Sequence, residues 1–163
     1  MKDLKNILEG ILDPSNKGNV GANLKDLYPT PTIKDFKKGY WGGVYVEWEC
    51  EDLIKQYLTH LDLPSFNYIS KDEVCGIRLD IDSDKIVTTS LITKVHSSID
   101  LRGVGDYVGN LAVAKKSVIK SLNMLKEQPN LFIKLFKFAE KCEEQINKTG
   151  VGNCKPIEDI LNS

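Results

Sequence analysis

Apolar and polar positions alternate most regularly between residues 73 and 96. Ile77, Leu79 and Ile81 alternate with Arg78, Asp80 and Asp82, the period-two signature of a strand with one buried face. Asp82, Ser83 and Asp84 follow, short polar side chains that bond nearby backbone in turns. Residues 85–96 are rich in β-branched types, with Val87, Leu91 and Val95 on one face. Thr88, Ser90 and Lys94 share the other face with Ile86 and Ile92. Two further strands are predicted, an aromatic one over 40–49 and a short one over 66–69.

Elsewhere the period changes to that of a helix. Leu53, Ile54, Tyr57, Leu58 and Leu61 share one side of a short helix over 51–61. Leu111, Ala114, Val118, Leu122 and Leu125 form one longer stripe, and Leu131, Leu135, Phe138, Ala139, Cys142 and Ile146 form another. The join at 127–130 is short, so the two should lie antiparallel. Gly150 stands just past the second helix, and Pro156 opens a last short helix over 157–161. Residues 2–12 have helical spacing too, and Pro14 follows them. Residues 15–36 are turn-rich, with Pro29 and Pro31, and read as an arm of unusual length.

The predicted class is α+β, a small antiparallel β-sheet packed against a C-terminal antiparallel helical hairpin. Its core should hold Val46, Ile77, Leu79, Val87, Leu91, Val95, Val118, Leu122, Leu135 and Cys142. Residues 1–36 form an N-terminal helix and arm, 37–148 the body, and 149–163 a tail with a short helix.

Composition narrows the class further. At 163 residues, 41% hydrophobic and 28% charged, the chain can build one domain with a real core. A net charge of −1 supplies no global field toward nucleic acid or membrane. No apolar run approaches the ~20 residues of a membrane span, and the N-terminus lacks a signal-peptide pattern. A cytoplasmic, membrane-free protein is expected. Cys50, Cys75, Cys142 and Cys154 lack Cys-x-x-Cys spacing and read as reduced structural thiols. Residues 110–148 carry eight lysines and four glutamates. Solvated lysines explain that excess better than base readout, which leans on arginine forks, so nucleic acid is not an expected partner.

Candidate chemistry gathers between strand and helix at residues 96–109. His96, Asp100 and Asp106 are the candidate general acid–base groups. Arg102, Gly103, Gly105 and Tyr107 are the candidate ligand-binding residues, the arginine for an anion and the glycine amides as further donors. Gly103, Gly105 and Gly109 do not follow a βαβ unit, so a dinucleotide site is not expected. The alternative reading is a loop in which Arg102 braces against Asp100 or Asp106. Asp80, Asp82 and Asp84 suggest a calcium loop, but Lys85 and Leu91 stand where its glycine and acidic ligand belong. No metal or cofactor is expected.

The segment Leu4-Lys5-Asn6-Ile7-Leu8-Glu9-Gly10-Ile11-Leu12-Asp13 resembles the start of many small uncharacterised bacteriophage proteins, especially those of phages infecting gut Bacteroidota. The stretch from Val95 to Gly103 is similar in character to phage reading frames. The resemblance implies a phage or mobile-element origin, with a virion or host-interaction role, in the host cytoplasm or the virion. Helices as short as 2–12 and 157–161 are marginal alone and need a surface, either a partner's or the chain's own. The leading expectation is a non-enzymatic protein-interaction module binding through its terminal helices and arm. The alternatives are an enzyme or small-anion binder at residues 96–107, and nucleic-acid binding by the lysine-rich hairpin.

Overall fold

The computed structural model describes residues 24–61, 71–95 and 98–163. The helix expected over 2–12, the strand expected over 66–69, and His96 lie outside the described residues. Among the described residues, five strands form one antiparallel meander in chain order: β1 (Lys37–Lys38), β2 (Val44–Glu49), β3 (Val74–Ile81), β4 (Val87–Thr93) and β5 (Ser98–Asp100). Helix α1 (Glu51–Leu58) follows β2, while α2 (Leu111–Glu127), α3 (Leu131–Thr149) and α4 (Ile157–Leu161) close the chain. The α+β class read from the sequence is the observed one.

Alternation along each strand decides which sheet face is buried. Val46 and Trp48 of β2, Ile77, Leu79 and Ile81 of β3, Val87 and Leu91 of β4, and Ile99 of β5 all enter one core. Val118, Leu122, Phe132, Leu135 and Phe136 reach it from α2 and α3. Phe132 stacks on Trp48 at 6.1 Å and on Phe136 at 5.7 Å between ring centres, within the range of favourable ring pairs. Gly76 allows β2 and β3 to close, because a Cβ there would stand 2.3 Å from the Trp48 carbonyl oxygen.

Three expectations need correction. The strand over 85–96 ends at Thr93, and Val95 is 63% exposed rather than in the core. The chain turns at 94–95 and soon returns as β5 against β4, which takes Val95 off the sheet. The strand over 40–49 begins only at Val44, since Tyr40–Gly42 forms a tight helical turn. The C-terminal helix is no free docking element: Ile157, Ile160 and Leu161 are buried, and α4 packs on both α2 and α3. Its partner surface is the chain's own.

The described part of the arm is docked as well. Leu24, Tyr28 and Phe36 pack against the core. The Trp48 Nε1–H donates to the Tyr28 carbonyl at 3.2 Å, and Lys25 pairs with Glu127 of α2 at 3.1 Å.

Candidate functional site

The loop after β5 is stitched to its surroundings by backbone. The Val87 amide donates to the Asp106 carbonyl at 3.1 Å, and the Val108 amide to Lys85 at 3.2 Å. On the other side the Gly105 amide donates to the Lys155 carbonyl at 2.8 Å, and the Lys155 amide returns to Gly103 at 3.0 Å. Both glycines have positive φ, and both stand where a side chain has no room. A Cβ on Gly103 would lie 2.3 Å from the Cys142 sulfur, and one on Gly105 would lie 2.0 Å from the Val87 carbonyl oxygen. Close approach accounts for them without a ligand.

A cavity of about 330 Å³ opens between this loop and β4. The structure brings Asp100, Arg102, Gly103, Gly105 and Asp106 to its wall, together with Thr89 and Cys154. Tyr107 stands apart from it, exposed and bridged to Ile86 beyond the start of β4. Arg102 braces against neither aspartate: its Nε lies 3.4 Å from the Glu143 carboxylate on α3. The Asp106 carboxylate accepts the Tyr107 amide at 2.7 Å. Thr89 has a buried hydroxyl without a partner among the described residues. At the next helix, Asn110 caps α2 by accepting the Val113 amide at 2.9 Å.

A wider concavity, about 480 Å³, lies on the polar face of the sheet. Strand register sets Glu47, Arg78, Ser90 and Asp100 side by side across four strands. Arg78 donates twice to Asp80, at 2.9 and 3.0 Å, and its guanidinium sits 3.8 Å from the centre of the Tyr45 ring. The Asp80 hydrogen bond holds Arg78 above its ordinary pKa. Asp100 borders both cavities. The sequence signal for this grouping was the i, i+2 placement of Arg78 and Asp80 on one strand face.

Two of the aspartates that resembled a calcium loop have their carboxylates otherwise engaged. Asp80 holds Arg78, and one Asp82 oxygen accepts the amides of Asp84 and Ile86 at 2.9 and 3.0 Å. Among the described residues no group of three or more His, Cys, Asp or Glu gathers as metal ligands.

The third feature is aromatic. The two tryptophans have opposite fates: Trp48 is buried, while Trp41 is 94% exposed and Tyr40 beside it 90%. Trp41 has φ 62° and ψ 31°, the left-handed region, which costs a non-glycine residue roughly 1–2 kcal/mol. The backbone holds it there. The Gly39 amide donates to Gly43 at 2.8 Å, and Gly43 lies so close to β3 that a Cβ would stand 2.7 Å from the Ile81 carbonyl oxygen. Because Val44 pairs with Ile81 and Ile81 with Val87, this turn, the 82–85 turn and the Ile86–Tyr107 bridge share one end of the sheet. Tyr40, Trp41, Ile86 and Tyr107 are all exposed there.

Compared with known proteins, the chain matches no family model, no curated protein and no solved structure. No described helix is long and apolar enough to cross a membrane.

Proposed function

We propose that the chain is a non-enzymatic interaction module that binds a protein partner through the aromatic end of its sheet. The observation that carries this reading is the exposed Tyr40–Trp41 pair on a strained turn. Strained backbone persists where surrounding structure holds it and clusters at functional sites. Tryptophan and tyrosine are also the residues that most often dominate binding energy at protein interfaces. Lys37 and Lys38 are exposed on the adjoining edge strand, a polar rim for an apolar centre. Of the elements first expected to dock a partner, the described part of the 15–36 arm and the 157–161 helix are spent on the body, so the aromatic turn takes their place. The phage resemblance of residues 4–13 points to a virion or host protein as the partner.

The test is affinity capture with the full chain from host cells or virions, run alongside the Tyr40→Ala/Trp41→Ala variant. A partner held by the wild type should be lost by the variant, with at least roughly 30-fold weaker binding, as for a hot-spot pair. The melting temperature should not fall. Equal capture by both proteins would sink the proposal. Deleting residues 1–36 would be a poor test, because it removes Leu24, Tyr28 and Phe36 from the core and should unfold the body.

A further inference from the structure

We infer that Cys142 and Cys154 are an oxidation-sensitive pair that closes into a disulfide and ties the C-terminal segment to α3. After left-handed Gly150 the chain turns back along the helix it has just left. A Cβ on Gly152 would stand 2.9 Å from the Ile146 side chain, and the Cys142 thiol lies 3.1 Å from the Asn153 carbonyl oxygen. That oxygen is three bonds from the Cα of Cys154, which puts this Cα within roughly 6 Å of the Cys142 sulfur. Disulfide-linked cysteines have Cα atoms ~4.4–6.8 Å apart, and the Cα of Cys142 stands one side chain beyond its sulfur, so the two backbones must approach for the bond to form. Rotation of the Cys154 side chain, with a small slide of the irregular segment that carries it, brings the sulfurs together.

Gly103 places the pair a second time. Cys142 packs directly on it, and Cys154 lines the same cavity wall. The two thiols also divide the chemistry. Cys154 is exposed and open to an oxidant, while Cys142 is buried, and burial pushes its thiol up. With a peroxide as oxidant, the Cys154 thiolate attacks one peroxide oxygen and the O–O bond breaks. One water is released, and a sulfenic acid remains on Cys154. Cys142 then gives up its proton and attacks that sulfur, the S–O bond breaks, and a second water leaves. Two thiols supply the two electrons that reduce one peroxide. The tied segment includes Lys155, whose backbone brackets Gly103 and Gly105, and it leads into α4. Closure therefore fixes the loop around the smaller cavity.

The test uses the full reduced chain, exposed to hydrogen peroxide and mapped by non-reducing peptide mass spectrometry. The expected product is a Cys142–Cys154 linked peptide, two hydrogens lighter than its parts and restored by dithiothreitol. The melting temperature should rise by several degrees in the wild type and stay put in Cys154→Ser, a change at an exposed site. Recovery of Cys154 as sulfinic or sulfonic acid, or in bonds between molecules, with Cys142 still a thiol, would overturn the pairing. A linked pair with an unchanged melting temperature would overturn the tie.

Discussion

The Tyr28 hydroxyl donates to the Asp52 carboxylate at 2.7 Å and accepts the Asp52 backbone amide at 3.2 Å. One side chain from the segment before the sheet thereby closes the start of α1. Burial first, and then Asp52, push the Tyr28 phenol up to about 12. A raised phenol keeps its proton in the folded chain where the unfolded chain loses it. Its contribution is therefore complete below about pH 10 and lost as pH rises toward about 12. Tyr28→Phe should destabilise by about 1.5–3 kcal/mol at neutral pH, the range for a lost hydrogen bond to a charged group. Urea unfolding should also show a shallower alkaline decline in the variant than in the wild type.

Two glycines of one loop should behave differently. Alanine at Gly105 meets the Val87 carbonyl oxygen at 2.0 Å with φ 129°, and neither group can retreat without breaking the sheet. Gly105→Ala should cost at least about 3 kcal/mol, overpacking and left-handed strain together. Gly109 has φ 82° but open space around it, so Gly109→Ala should cost only about 1–2 kcal/mol. Similar midpoints for the two variants in chemical denaturation would count against close packing as the reason for Gly105.

Glu51 sits between Lys55 and Lys94, each at 2.6 Å. Lys55 first, and then Lys94, hold its carboxyl below the usual range. A depressed carboxyl stabilises the fold above its unfolded pKa of about 4.3, and that part is lost as pH falls through the folded value. Glu51→Gln should lower stability at pH 7. The gap to wild type should narrow below about pH 4 and shrink in high salt, because the group is partly exposed and Lys94 beside it more so.

Trp41→Gly separates stability from binding. Glycine accepts φ 62° freely, so the change should raise stability by about 1 kcal/mol while removing the exposed ring. A thermal scan and the partner-capture assay on the same protein should move in opposite directions. Loss of stability would mean that Trp41 packs on the body in solution.

Local pattern carried much of this fold. Alternation at Ile77, Leu79 and Ile81 chose the buried face of β3. Helical spacing at Val118 and Leu122 chose the inner side of α2, and Gly150 marked the end of α3 through its left-handed backbone. These are short-range facts, settled by backbone period and sterics within a few residues. What the sequence could not decide was which surfaces meet. Trp41 and Trp48 are neighbours of the same type, and only the aromatic core around Phe132, far along the chain, makes one of them structural. Arg102 had two aspartates at hand and pairs with Glu143, because the loop packs against α3 at Gly103 and Cys142. The turn-rich arm from Leu24 to Phe36 had scattered apolar residues and helix α4 an apolar stripe, each seeking cover. Hydrophobic burial is non-directional, so these residues showed that a surface was needed, and only the assembled tertiary structure showed that the body supplies it.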